Sequence, residues 1–317
     1  MLRLKGGNHM KVSIIGGGGV VGSSAAYRIA QDGLVSEIIL VDIRRNLAEA
    51  HALDIEQAVV YRTKTIVRAG DISDTKGSDV ILISVGAVGR PMHSSRASHF
   101  GENVEIIKNL VNPIIENSPS ALWIIATVPV DAFVYLIHKH FSIPREKIIG
   151  LNRNDTSRFR WAVAKVLSIP PTSVEAFVLG EHGETMVPIF SQVRIDGKKI
   201  SFNPEQREKI KSEIVGFLQK WVKWQPERTA GWTTAESIGD IIKSMVLEDD
   251  MVWPCSASLY GEYGFREVSL GVPLRIGLNG VKEIIELELE QTEKKALMVS
   301  AEIIRGQIKQ GEELFKT

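Results

Sequence analysis

The run Gly180-Glu181-His182-Gly183 sets a histidine among glycines at the end of an apolar stretch. An imidazole placed there is exposed and conformationally unusual, unlike a histidine packed on an apolar helix face. Its titration near neutral pH suits it to exchange a proton with a bound molecule. Upstream, Asn154-Asp155-Thr156-Ser157-Arg158 opens a helix and supplies a carboxylate and a guanidinium. Earlier still, Gly89-Arg90-Pro91-Met92-His93-Ser94-Ser95-Arg96 forms a polar loop with two further guanidiniums. If these side chains converge, three arginines and a protonatable histidine surround a small anion, with Asp155 offsetting part of the charge.

A second cluster lies near the start. Gly17-Gly18-Gly19-Val20-Val21-Gly22 satisfies G-x-G-x-x-G, and Gly16, Gly19 and Gly22 also fit G-x-x-G-x-x-G. Glycines are needed where a pyrophosphate approaches the backbone and accepts from amide N–H groups at a helix N-terminus. The cluster follows an apolar run, Lys11 to Ile15, and opens a helix over Val20 to Asp32. Asp42 ends the next apolar run, roughly 20 residues after Gly22, where a carboxylate accepts from both ribose hydroxyls of an adenosine. The cofactor expected is NAD. A 2′-phosphate would be repelled by Asp42, although Arg44 and Arg45 leave NADP open.

The elements that must hold these groups alternate. Strands are expected at Lys11 to Ile15, Glu37 to Asp42, Thr65 to Ala69, Val80 to Val85, Leu122 to Ala126 and up to Gly150, with helices between. Continuous apolar strands separated by helices predict an α/β fold with a Rossmann-type parallel sheet covered by helices on both faces. Beyond residue 150 the texture changes to an α+β substrate or catalytic domain. Asp196-Gly197 signals a hairpin, charged helices lie near 204–225 and 234–247, and shorter strands fall between 251 and 287. A last helix begins near Thr292, read as its N-cap, with Leu297, Ala301, Ile304 and Ile308 on one face. The division expected is an N-terminal appendage at 1–9 with Met10 as the start, a cofactor domain at 10–150 and a catalytic domain at 151–317.

The whole chain of 317 residues carries 38 basic and 38 acidic side chains, so bulk charge favours neither nucleic acid nor anionic membrane. With 44% hydrophobic and 24% charged residues, it has an ordinary globular composition. One cysteine, Cys255, excludes an internal disulfide framework and a cysteine-rich zinc site, and it reads as a buried small apolar residue. No apolar run reaches a membrane span, and no secretory signal is visible. A cytoplasmic protein without a metal is expected.

The glycine cluster, Leu40-Val41-Asp42-Ile43, Asp155 with Arg158, the Gly180–Gly183 run and the stretch GEYGFREVSLGVPLRIGLNGV at 261–281 together resemble the lactate/malate dehydrogenase superfamily, specifically its lactate-dehydrogenase-like malate dehydrogenases. The resemblance spans Met10 to the last helix. It implies that His182 exchanges a proton with the substrate oxygen while Asp155 holds its ring. Arg158 would grip the substrate carboxylate through two parallel hydrogen bonds, and Arg96 would polarise the ketone. Arg90 matches the position that pairs with a second, distal carboxylate. Asn103, Thr127 and Val128 would lie against the cofactor. Malate dehydrogenation with NAD, a place in the tricarboxylic acid cycle and a homo-oligomer, with a tetramer favoured over a dimer, are the corresponding expectations.

Departures cluster around the substrate. Where the family usually carries Asn-Pro-Val-Asp, this chain has Val128-Pro129-Val130-Asp131, so either Thr127 or a water replaces the lost amide or catalysis is weakened. Met92-His93-Ser94-Ser95 also differs from the family, with one extra residue after Gly86 and one fewer near Asp155. Ser237-Ile238-Gly239-Asp240-Ile241 matches neither malate-type nor lactate-type relatives. These departures bear on the substrate and not the reaction, so a lactate or broad 2-hydroxy-acid dehydrogenase stands as the alternative; against a catalytically silent NAD-binding regulator stand the intact His182, Asp155, Arg158 and Arg96.

Overall fold

The structure, a computed structural model, describes residues 9–87, 99–224 and 228–316. Apart from His9, the expected appendage lies outside them. Strands β1 (Lys11–Ile15), β2 (Glu37–Val41), β4 (Val80–Ile83) and β5 (Leu122–Ile125) are apolar without alternation, and nearly every residue in them is buried. Side chains on both pleat faces are therefore covered, as a parallel sheet between helices requires. With β3 (Ile66–Ala69) and β6 (Ile148–Gly150) they pair in parallel in the order β3-β2-β1-β4-β5-β6.

Helices α1 (Val20–Asp32), α2 (Arg45–Val59), α3 (Phe100–Asn117) and α4 (Val130–His140) lie in the crossovers. The strand order reverses between β1 and β4, the place where sheets of this kind bind ligands beyond the carboxyl ends of their strands.

The parallel sheet does not end at β6. Three antiparallel strands from the second half, β12 (Val252–Tyr260), β13 (Arg266–Gly277) and β14 (Gly280–Ile284), extend it to nine strands. β12 and β13, nine and twelve residues long, are not the shorter strands expected over 251–287. An uncovered β6 would present unpaired amides and carbonyls, and β12 closes that edge. Gly150 permits the closure: a Cβ there would lie 2.4 Å from a Val130 methyl and 2.7 Å from Ser256 Cβ.

The second half also holds α5 (Arg153–Leu167), α6 (Pro204–Trp224), α7 (Trp232–Leu247) and α8 (Gln291–Lys316). Short strands β7 (Val174–Glu175), β8 (Val178–Leu179), β9 (Val187–Pro188), β10 (Arg194–Ile195) and β11 (Lys198–Lys199) complete it. The hairpin between β10 and β11 turns on Asp196 (φ 48°) and Gly197 (φ 75°), two left-handed residues that suit a two-residue turn. Phe159, Phe190 and Phe202 meet edge to face in a small core separate from the main one.

Helix α7 packs on α1, and α8 packs on α3 and α4. On α8, Leu297, Ala301, Ile304 and Ile308 are buried as the spacing requires. Its cap is Glu290 rather than Thr292: the Glu290 carbonyl accepts from the Lys294 amide, and the Glu290 amide donates to Glu293 Oε2. The buried Glu293 carboxylate also accepts from the Ser191 amide and hydroxyl, a tertiary contact that outweighs the local preference for threonine. Among the described residues no helix is long and apolar enough to cross a membrane.

Candidate active site

The glycine turn leaves β1 at the strand-order reversal. Gly16 (φ 91°) and Gly17 both donate to the Val41 carbonyl, at 2.8 and 3.0 Å. Side chains are excluded from this turn by contact distance. A Cβ on Gly22 would stand 2.3 Å from the Gly16 carbonyl oxygen, and one on Gly17 would stand 2.8 Å from Leu40 Cβ. Gly19 is the N-cap of α1 and supplies no side chain to the first-turn amides; Val20 and Val21, partly exposed, begin the helix. The helix therefore starts with donors and the positive end of its dipole at a surface that only glycine keeps open.

Asp42 ends β2 beside this turn with its side chain 7% exposed. Its Oδ2 accepts from the Gly18 amide and its Oδ1 from the Arg44 amide, both at 2.9 Å. Each oxygen retains a lone pair suited to a ribose hydroxyl. Arg44 Nε lies 3.6 Å from Asp42, and Arg45 is engaged by Glu49 and Asp71.

At the ends of β4 and β5, Asn103 on α3 ties two loops together. Its Oδ1 accepts from the Ala87 amide and its Nδ2 donates to the Val128 carbonyl, each at 3.0 Å. Thr127 Oγ donates to the Val85 carbonyl at 2.7 Å. That bond uses the hydroxyl proton and leaves the oxygen's lone pairs as acceptors. Val128, whose peptide bond to Pro129 is cis, packs partly buried against the core.

The second cluster is built on α5 and the turn after β8. Asp155, 1% exposed, accepts from Arg158 Nη1 at 2.7 Å and meets His182 Nδ1 at 2.6 Å through its other oxygen. Against a carboxylate, Nδ1 carries the ring proton. The Arg158 guanidinium lies over the Phe217 ring at 4.5 Å, so an aromatic face fixes its plane. The turn itself is anchored: Gly180 (φ 87°) exchanges two backbone hydrogen bonds with Gly271 on β13. The Glu181 amide donates to Ser300 Oγ on α8 at 2.7 Å.

Three contributors were not assigned from sequence. Asp131, in the first turn of α4, is 1% exposed and accepts from the His182 amide at 2.7 Å. It also accepts from Asn152 Nδ2 at 3.1 Å. Burial pushes its carboxyl up to about 6, against these hydrogen bonds and the nearby His182. Phe217 is the second contributor. The third is Asn154, which donates to Thr234 Oγ and accepts from Ser237 Oγ at 2.9 Å each, tying α5 to α7. Only Asp131 left a local signal, an acidic residue in a helix's first turn.

The structure thus brings His182, Asp155 and Arg158 together. Gly16, Gly17, Gly19, Val20, Val21, Gly22 and Asp42 form a second group, and Asn103, Thr127 and Val128 a third. Arg90 and Arg96 lie outside the described residues. Cys255 is fully buried, and burial pushes its thiol up to about 12. Among the described residues no cluster of His, Cys, Asp and Glu could hold a metal ion.

Residues 10–150 match the family model for the lactate/malate dehydrogenase NAD-binding domain, and residues 153–315 match the model for the lactate/malate dehydrogenase alpha/beta C-terminal domain. The chain belongs to the lactate/malate dehydrogenase family. It is similar to a malate dehydrogenase of Haloarcula marismortui, 32% identical over 94% of this chain and 98% of that protein. It is also similar to L-lactate dehydrogenase 1 of Clostridium acetobutylicum, 30% identical over 93% and 96%. Among solved structures, the lactate dehydrogenase of Cryptosporidium parvum, complexed with lactic acid and nicotinamide adenine dinucleotide, matches with a TM-score of 0.89. That match has 28% identity and covers 96% of this chain and 98% of the other. The family consists of oxidoreductases acting on a hydroxy-acid CH–OH group with NAD, and this chain is such an enzyme. The glycine-walled turn and the Asp42 carboxylate fit that cofactor.

Proposed function

We propose that this enzyme interconverts malate and oxaloacetate, with His182 exchanging the proton. The hydrogen-bonded series Arg158–Asp155–His182 carries the reading. In it, one carboxylate orients both the proton-transfer group and the substrate-gripping cation. The turn at Gly16–Gly22 and Asp42 would hold the pyrophosphate and adenosine of NAD, and Asn103, Thr127 and Val128 would lie toward its nicotinamide. Bound NAD supplies the acceptor, or as NADH the donor, of the hydride on the substrate's C2.

In the malate direction, His182 Nε2 takes the C2 hydroxyl proton while Nδ1 stays on Asp155. The charge that forms on the ring is balanced by the buried carboxylate, which also fixes the tautomer. In reverse, the imidazolium returns that proton to the ketone oxygen as negative charge develops there. Arg158 binds the C1 carboxylate by paired hydrogen bonds that a lysine could not reproduce.

The dicarboxylate reading rests on sequence. Arg90 opposite the methyl of pyruvate would be left without a counter-charge, at a cost of about 1–3 kcal/mol, whereas the distal carboxylate of oxaloacetate satisfies it. Arg96 has the ketone-polarising role on the same footing. Relatives of comparable identity named lactate dehydrogenase favour pyruvate as the second reading. Exposed apolar residues on and beside α2 (Leu53, Val60, Tyr61) support a homo-oligomer, read as a tetramer.

Steady-state rates with oxaloacetate and pyruvate, each with NADH and NADPH, test the substrate. We expect kcat/KM to favour oxaloacetate by about 100-fold or more, and NADH over NADPH. Faster use of pyruvate would overturn the malate reading and leave the lactate one.

A further inference from the structure

Two carboxylates, not one, are hydrogen-bonded to His182. Asp155 holds the ring from α5, and Asp131 holds the main chain from α4, accepting from the His182 amide at 2.7 Å. They come from opposite halves of the chain. Asp131 follows the Thr127-Val128-Pro129 loop by a single residue, and that loop lies at the end of β5. The hydrogen bond therefore pins the proton-transfer turn to the segment expected beside the nicotinamide.

The pin is reinforced. Asn152 Nδ2 donates to Asp131 Oδ1 at 3.1 Å and to the Gly180 carbonyl at 3.3 Å, so one amide joins Asp131 to the start of the same turn. On the other side, two backbone hydrogen bonds join Gly180 to Gly271 of β13. A Cβ on Gly271 would stand 2.6 Å from Asn152 Nδ2, so the close fit of β13 to this amide depends on glycine.

We infer that Asp131 is a positioning residue for the reaction: its buried carboxylate fixes His182 relative to the cofactor loop and helps stabilise the imidazolium. This rests on His182 being the proton-transfer group. The other ionisable groups facing this pair among the described residues are Asp155 from α5 and, beyond it, Arg158. A merely structural hydrogen bond would need only an acceptor at this place. A carboxylate so deeply buried, 1% exposed, is costly unless its charge is used. Its raised proton affinity, to about 6, reflects that cost.

The substitution Asp131→Asn separates the two roles. Asparagine can still accept from the His182 amide, and Asn152, whose Oδ1 is buried without a hydrogen-bond partner, can turn its carbonyl toward the new amide. The hydrogen bond to the His182 amide is then kept and the charge removed, while the longer Asn152–Gly180 contact is given up. In the pH dependence of kcat/KM, the limb assigned to His182 should move down by about half a unit or more, because a nearby negative charge favours the imidazolium. Turnover should fall by about tenfold or more as the negative charge beside the imidazolium is lost, with KM for the substrate little changed.

In the double variant D131N/N152D the same pair regains one carboxylate, and the limb should return to within about 0.3 unit of the original. This second variant serves if D131N folds poorly. A folded D131N that binds NADH with its limb and turnover unchanged overturns the inference, as does a folded double variant that restores nothing. If instead His182→Asn retains activity, the role of His182 itself fails, a result distinguishable from either.

Discussion

Asp155 bonds His182 through one carboxylate oxygen, at 2.6 Å, and Arg158 through the other, at 2.7 Å. The two groups proposed to meet the substrate are thus held by a single buried side chain. Replacing it with asparagine keeps the size but allows the wrong histidine tautomer and removes the charge that balances the imidazolium. We expect Asp155→Asn to lower kcat by about 10²–10⁴-fold while NADH binding, followed by fluorescence titration, changes little. A loss below tenfold would make the pair structural.

Arg158 lies over the Phe217 ring, 4.5 Å from its centroid, with one nitrogen on Asp155. Lysine keeps the charge but neither the planar stacking nor paired donation. Arg158→Lys should reduce kcat/KM for oxaloacetate by about 3–5 kcal/mol of lost interaction, read as at least a hundredfold in steady-state rates. Retention of near-normal kcat/KM would move carboxylate recognition elsewhere.

Gly22 offers a test confined to the cofactor site. An alanine methyl would collide with the Gly16 carbonyl oxygen at 2.3 Å, and backbone atoms on both sides leave little room to relax. Gly22→Ala should weaken NADH binding by about tenfold or more and lower stability by about 1–3 kcal/mol, measured by titration and by denaturant unfolding. Unchanged affinity would exclude the turn from the pyrophosphate site.

Asp131 links pH to stability. Its folded value of about 6 stands above the ordinary 3.8, so between these limits the folded chain binds a proton that the unfolded chain does not. Its contribution to stability therefore rises as pH falls through that window and is lost as pH rises through it. The Tm of D131N relative to the native enzyme should accordingly increase by a few degrees between pH 5 and pH 8 in calorimetry. A difference independent of pH would mean the carboxyl titrates normally.

The parts of this architecture legible in the sequence are those fixed by local chemistry. Short unbroken apolar runs such as Val80–Ile83, set between turn residues, fit doubly covered strands, and the glycines after Ile15 mark a turn that excludes side chains. His182 among its glycines and Asp155 with Arg158 were visible for the same reason. What escaped depends on distant partners. The strand Val252–Tyr260 carries no mark of joining β6 rather than a sheet of its own, because its pairing is decided by the open edge it covers. Phe217 sits within a helix whose sequence gives no sign that one ring faces Arg158. Two-residue strands such as Val178–Leu179 are too short to leave a pattern. Thr292 lost the capping position to Glu290 because Glu293 is also bonded to Ser191, about a hundred residues earlier in the chain.

The central claim, that His182 exchanges the proton with the substrate oxygen, is tested most directly by His182→Asn with oxaloacetate and NADH in a single-turnover experiment. NADH should bind with unchanged affinity while the rate of its oxidation falls by about 10³-fold or more. Oxidation within about tenfold of the native rate, with the variant folded and NADH bound, would contradict it.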